Sequence, residues 1–162
     1  MLSFKIVVVS DQVYEGKKRD VSGSIAERII VSRGYNVCGK TVIPNSYKEI
    51  VRAIRSSDRC DVFLFIGGTG ASPRDITVDV VRSLAWRHIP GYGEYFRLRS
   101  VNRTGLHGIL SRAELYVLGD GRIAVVLPGS PDAVELGLEI LFGIVEHLVE
   151  EVKRYEGPHQ KP

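Results

Sequence analysis

Cysteine is scarce in this chain and long apolar runs are missing, and each shortage removes a class of protein. Cys38 and Cys60 are the only cysteines among 162 residues, and they lack the close paired spacing of a zinc site or a redox motif. Each stands beside a predicted strand, so both are read as reduced core side chains. No apolar stretch approaches the roughly 20 residues that a membrane helix needs. The start Met1-Leu2-Ser3-Phe4-Lys5-Ile6 leads into a strand rather than a signal peptide. The expectation is a cytoplasmic protein with no membrane partner. A strong charge of one sign is also missing. The 22 Lys and Arg exceed the 19 Asp and Glu only slightly, which suits an anionic small molecule and argues against nucleic acid. The Walker pattern of glycine-Lys-Ser/Thr is absent, and no Cys, His and acid constellation suggests nucleophilic catalysis. His88, His107, His147 and His159 show no metal-ligand spacing and are read as structural or solvent-facing. No internal repeat or low-complexity segment is found.

What remains is a chain of globular composition, long enough for one α/β domain with a proper core and too short for two substantial ones. The expected domain covers residues 1–154, with a polar tail at 155–162. Phe4 to Ser10 is almost continuously apolar, as a strand covered on both faces would be. Ser22-Gly23-Ser24 starts a helix carrying Ile25, Ile29 and Ile30, and Gly34 is placed to end it. A strand over 37–43, a helix over 47–54 and a strand over 62–66 follow. Thr77 is expected to cap a helix with Val80, Val81 and Leu84 on one side, and a further helix runs from Gly91 to about Arg103. Strands near 115–118 and 123–127 flank Gly119-Asp120-Gly121 as a hairpin. Pro131 then opens one long helix with Leu138, Leu141, Val145, Leu148 and Val149 buried. This alternation predicts an α/β fold of three layers, α/β/α, with a mostly parallel central sheet and a small β-hairpin.

Ligands of such sheets bind beyond the carboxyl ends of the strands. Here those ends read Ser10-Asp11, Pro44-Asn45, Gly67-Gly68-Thr69-Gly70 and Pro128-Gly129-Ser130-Pro131, and all four are expected on one rim. The Gly67–Gly70 loop leaves backbone N–H groups open to an oxyanion, although a plain turn has the same pattern. Arg74-Asp75, Thr77 and Asp79 follow it, joining a helix start to a cation and two acids. Asp75 is the candidate for a catalytic or metal-binding role. Asp79 either belongs to the same cluster or answers the helix dipole. Ser130 and Pro131 are placed as cap and first residue of a helix, and Asp132 and Glu135 would repel a phosphate that faced them. Lys17, Lys18 and Arg19 form a polar loop beside the first strand's exit, suited to covering substrate. The stretch from Arg87 to Arg112 is strongly basic, with Glu94 its one acid. It reads either as a solvated or subunit-contact face or as a docking surface for a phosphorylated ligand.

In order and spacing these segments resemble the MoaB/Mog family, the molybdopterin adenylyltransferases of molybdenum-cofactor synthesis, over about residues 4–150. Three motifs carry the resemblance: Ser10-Asp11 with Tyr14, Gly16, Asp20, Ser22 and Gly23; Gly67-Gly68-Thr69-Gly70 with Arg74-Asp75 and Thr77; and Pro128-Gly129-Ser130-Pro131. Gly91-Tyr92-Gly93-Glu94 with Phe96-Arg97, and Ser111-Arg112-Ala113, also match similar sequence in that family. The resemblance implies a molybdopterin-binding fold, assembly into trimers or hexamers, and magnesium-dependent transfer of AMP from ATP to the terminal phosphate of molybdopterin with release of pyrophosphate. It also implies hand-over of the product to a protein that inserts molybdate or tungstate. Carried across, Asp75 binds the metal and is catalytic, and Arg74 assists the departing pyrophosphate or forms a structural ion pair. Gly67 to Gly70 surround nucleotide phosphate, and Thr77, Asp79 and Ser111 are further substrate-binding candidates. Pro128 to Pro131 help hold the adenylyl end, and Ser10-Asp11 line the pterin side. Two departures stand out. Catalytic members often carry Asp where this chain has Asn45, and Val78-Asp79 replace a more usual Pro and Glu. A non-catalytic molybdopterin-binding member, or a nucleotide pyrophosphatase like the competence-damage proteins, is the alternative.

Overall fold

The computed structural model describes residues 1–154; the expected polar tail at 155–162 lies outside them. Elements follow in the order β1 (Ser3–Val9), α1 (Asp11–Tyr14), α2 (Ser22–Ser32), β2 (Asn36–Ile43), α3 (Tyr47–Ile54), β3 (Val62–Ile66), α4 (Thr77–Leu84), β4 (Ala85–His88) and α5 (Pro90–Thr104). A 3-10 helix (Gly105–Leu110), β5 (Glu114–Leu118), β6 (Ile123–Leu127), α6 (Pro131–Phe142) and α7 (Val145–Lys153) complete the chain. The six strands form one sheet in the order β2-β1-β3-β6-β5-β4. The β1–β2, β1–β3 and β3–β6 pairs are parallel, and β5 runs antiparallel to both β6 and β4.

The apolar strands divide by alternation, because successive side chains of a strand point to opposite faces. On one face Phe4, Ile6, Val8, Leu64, Val125 and Leu127 pack under α2, α5, α6 and α7, with Ala26, Ile30, Phe96, Leu138, Leu141 and Val149 buried against them. On the other, Val7, Val9, Phe63, Phe65, Ala124 and Val126 meet Ile50 and Ile54 of α3 and Val78, Val80 and Val81 of α4. The expected three layers are therefore present.

Several local expectations are corrected. The predicted long C-terminal helix is two helices, interrupted at Gly143 and Ile144, where the Gly143 and Ile144 N–H groups turn back to the carbonyls of Ile140 and Leu141. Thr77 is the first residue of α4 rather than its cap, and its hydroxyl makes no capping bond. The short edge strand β4 and the 3-10 helix carry no periodic signal and add to the elements expected from the sequence. The reading of Cys38 and Cys60 as reduced is overturned: they form a disulfide, with Cα atoms 6.3 Å apart. The register of β1 against β2 explains how they meet. Phe4 faces Val37 and Lys5 faces Gly39, so Cys38 is the extra residue of a bulge, a position that re-aims a side chain. Cys60 arrives beside it because the Asp61 N–H bonds the Ser3 carbonyl at the same end of β1.

Candidate functional site

The parallel strands β1, β2, β3 and β6 all end on one rim, as the strand exits in the sequence require. From β1 the chain passes through α2 on one face to β2, then returns through α3 on the opposite face to β3, which lies on the other side of β1. The β1–β3 exits are thus the point where the winding direction reverses, and a crevice opens there. A cleft of about 560 Å3 occupies it, lined by Val9, Ser10, Arg19, Gly67, Gly129 and Ser130 among others. A second cleft, of about 410 Å3, lies between α5 and α6 and includes Phe96, Arg103, Ser111, Pro128 and Ser130. Ser130 lines both.

Close backbone approach explains the glycines. Gly67 has φ +109° and its N–H bonds the Leu127 carbonyl at 2.8 Å; a Cβ there would stand 2.3 Å from the Val9 carbonyl oxygen. Gly68 has φ +70°, and a Cβ would stand 2.1 Å from the Thr77 hydroxyl. Only glycine lets β1, β3 and α4 converge so tightly. The 128–131 corner is drawn to the same place by the Ser22 hydroxyl, which donates to the Gly129 carbonyl at 2.6 Å. Ser130 caps α6, accepting the Ala133 N–H at 3.4 Å, with Pro131 at the first helical position. Ser10 caps α1 in the same way, through Val13.

Asp75 sits half-buried at the end of the loop that follows Gly70. Its Oδ2 accepts the Ser72 N–H at 3.2 Å and lies 2.7 Å from the point a Gly70 Cβ would occupy, so the carboxylate rests directly on the glycine loop. Asp75 lines neither cleft; it is joined to the larger one through its loop. Arg74 reaches across to Asp11, forming an ion pair, while Asp11 also accepts the Asn45 N–H at 2.8 Å. That N–H and the Arg74 guanidinium hold the Asp11 carboxyl below its ordinary range. The Asn45 amide donates to the Arg74 carbonyl. Among the described residues, the buried side-chain polar atoms without a partner are Asn45 Oδ1 and Thr77 Oγ1, and both are on this rim. Each such atom typically costs about 1–3 kcal/mol, which folded proteins tolerate where a ligand or function compensates.

Asp79 is paired with Arg112. Arg112 Nη1 donates to both its oxygens, at 2.8 and 3.0 Å, and this contact keeps its carboxyl below the usual range. Ser111 lines the smaller cleft, with its hydroxyl accepting the Ala113 N–H at 3.3 Å. The basic stretch is largely neutralised. Arg97 pairs with Glu114, Arg99 and Arg103 with Glu139, and Arg87 stacks on Trp86 at 4.2 Å. This pairing matches the solvated-face reading more closely than a phosphate dock. The sequence reading missed the hold of Ser22 on the 129 carbonyl and the contacts of Arg112 with the 69–79 segment. Both residues belong to the family-like segments, but their partners are remote in sequence.

No three or more His, Cys, Asp or Glu side chains gather into a metal cage among the described residues. Magnesium commonly binds one or two carboxylates together with substrate phosphates, and a lone half-buried Asp75 on a glycine loop is a donor of that kind.

Fold and rim together define a doubly wound α/β protein with a glycine-lined crevice at its winding reversal. The sequence matches the family described as "probable molybdopterin binding domain" over residues 5–147, and the chain belongs to this family of molybdenum-cofactor biosynthesis. It is 33% identical to the molybdopterin adenylyltransferase of Pyrococcus furiosus, over 93% of this chain and 90% of that protein. It is 30% identical to a protein of Methanocaldococcus jannaschii named "probable molybdopterin adenylyltransferase", over 91% and 92% of the two chains. The crystal structure of the tungsten cofactor synthesizing protein MoaB from Pyrococcus furiosus superposes with a TM-score of 0.84 at 32% identity, covering 95% of this chain and 98% of that one. The CinA protein of Thermoplasma acidophilum shares the fold alone, with a TM-score of 0.65 at 16% identity.

Proposed function

We propose that this chain catalyses adenylylation of molybdopterin by ATP. The terminal phosphate oxygen of the pterin forms a bond to the α-phosphorus of ATP, the bond from that phosphorus to the bridging oxygen breaks, and pyrophosphate leaves with the electron pair. The observation that carries the reading is the Asp75 carboxylate resting on Gly70, in the loop that leaves β3 beside the winding reversal. In phosphorus transfer the enzyme chiefly aligns nucleophile and leaving group and neutralises developing charge. Magnesium, held by Asp75 and the nucleotide's own phosphates, would supply that neutralisation. The glycine-lined backbone of 67–70 admits phosphate oxygens closely, and Arg74, exposed and anchored by Asp11, places a guanidinium beside them. On this reading Ser10 borders the larger cleft on the pterin side, with Asp11 next to it in the chain, while Ser111, Pro128 and Ser130 border the smaller, adenylyl side and Gly129 and Pro131 face the larger cleft. Transfer takes place in a homotrimer in the cytoplasm, followed by hand-over to the molybdate- or tungstate-inserting step.

Incubation with molybdopterin, ATP and magnesium is expected to yield adenylylated pterin and one pyrophosphate per turnover. Molybdopterin binding without pyrophosphate release would overturn the catalytic reading and support a binding protein. Asn45 favours that second reading: its side chain is engaged with the Arg74 carbonyl, and an amide cannot give a metal the charge of a carboxylate. Hydrolysis of a nucleotide pyrophosphate bond without pterin would point instead to a pyrophosphatase, for which the likeness to CinA supports the fold only.

A further inference from the structure

The loop that carries Asp75 is closed by one side chain from 37 residues further along the chain. The Arg112 N–H donates to the Thr69 carbonyl at 3.1 Å, where the glycine loop begins. Its Nε donates to the Gly70 carbonyl at 2.9 Å and its Nη2 to the Asp75 carbonyl at 2.5 Å. Its Nη1 reaches Asp79 in the first turn of α4. One planar guanidinium therefore spans the loop from 70 to 75 like a chord and fixes the separation of its two ends. Within the loop, the Asp75 N–H bonds the Ser72 carbonyl at 2.9 Å and the Ser72 N–H returns to the Asp75 carboxylate. This turn holds the carboxylate relative to the loop. The loop itself is held by Arg112 from the start of β5, by the Thr77 N–H on the Gly68 carbonyl, and on the β1–β2 side by the Asn45 amide on the Arg74 carbonyl and the Arg74–Asp11 pair.

We propose that Arg112 is a positioning residue for Asp75. It touches no reacting atom, and its part rests on the adenylylation reading above. The geometry demands arginine. Three of its donors meet acceptors in three directions within one plane, whereas a lysine ammonium is a point charge on a flexible stem and cannot bridge both carbonyls and the carboxylate. Its side chain is about a third exposed, so truncation leaves the loop carbonyls open to water rather than orphaned in the core. Loop order, not folding, is what it sustains. Misplacing a reacting group by about 1 Å can cost on the order of 100-fold in rate.

The test uses the full chain with Arg112→Ala, Arg112→Lys and, as a control for lost charge, Arg99→Ala, whose guanidinium pairs with Glu139 elsewhere. Amide hydrogen exchange is followed across residues 70–75, and kcat and KM are measured for pyrophosphate release. Both Arg112 variants are expected to exchange these amides at least tenfold faster while the strand amides of β1 and β3 are unchanged. They should lose roughly 10- to 100-fold in kcat with KM for molybdopterin within about threefold. Arg99→Ala should change neither. Unchanged exchange at 70–75 in Arg112→Ala, or full kcat with Arg112→Lys, would overturn the proposal. A wild-type chain that releases no pyrophosphate would defeat the adenylylation reading instead, and the exchange result would still decide whether Arg112 orders the loop.

Discussion

The two ends of the sheet are built from the same strands but satisfy their polar groups in opposite ways. At the amino end, Lys5 pairs with Asp58, Lys153 with Asp61 and Arg122 with Asp120, and Arg122 also donates to the carbonyls of Ile54 and Ser56 at 2.6 and 3.2 Å. The Cys38–Cys60 disulfide ties β2 to the segment before β3 at that same end. A cavity of about 640 Å3 lies there, larger than either cleft at the carboxyl rim, yet its charged lining is mostly occupied by these pairs. At the carboxyl rim, glycines bring backbones together, two buried oxygens stay without partners, and an acidic loop is held by bonds from outside itself. One end is a closed ledger of contacts that holds the fold. The other leaves two polar oxygens unpaired among the described residues, which is why the proposed site is placed there. Size alone would favour the amino end over the one proposed.

The largest expected effect lies on the carboxyl rim. Asp75→Asn removes a charge from a half-exposed loop and should lower turnover by roughly 100- to 1000-fold while leaving the melting temperature within a few degrees of the wild type. Loss of both activity and cooperative unfolding would make Asp75 a structural residue and erase the contrast between the two ends. The amino end should respond in the reverse sense. Replacing both cysteines by serine opens a link between residues 22 positions apart and should cost roughly 3 kcal/mol of stability, read by denaturant unfolding, with turnover per folded molecule unaltered. Gly68→Ala probes the convergence point itself. The substitution combines a positive φ with a contact on Thr77, and it should cost about 1–3 kcal/mol and weaken ATP binding.

Acid gives the smallest and most graded effect. The Asp11 and Asp79 carboxyls are both depressed below 3.8, Asp11 by the Asn45 N–H and Arg74 and Asp79 by Arg112. A depressed carboxyl contributes stability that is complete above its unfolded value and is lost as pH falls through its folded one. The bracing of the 70–75 loop should therefore be constant above about pH 5 and weaken only below about pH 4, seen as faster loop exchange on acidification. Both side chains are substantially exposed, so the effect on global stability is expected to be slight. Loosening of the loop already at pH 6 would assign its order to some other titrating group.

The strands and most helices were legible because their signals are local. An unbroken apolar run such as Val62–Ile66 marks a doubly covered strand, and Tyr47–Ile54 has both an apolar face and a preceding Ser46. The gathering of four strand exits on one rim also followed, since parallel strands joined by helices must all end together. The single-helix reading of 131–149 failed because apolar spacing continued in phase across Gly143. The reading of Thr77 as a cap failed because Gly68 packs on its hydroxyl instead.

By itself the sequence determined the layer order, the glycine-lined exits and the presence of one acid beside them, because periodicity and residue type are properties of neighbouring positions along the chain. Tertiary structure alone decided which distant groups meet: Cys38 with Cys60 through a bulge in β2, Asn45 with Arg74, and Arg112 with both ends of the Asp75 loop. Those meetings depend on strand order and register, which are set by how the whole sheet buries its two faces and leave no mark in the spacing of the residues concerned.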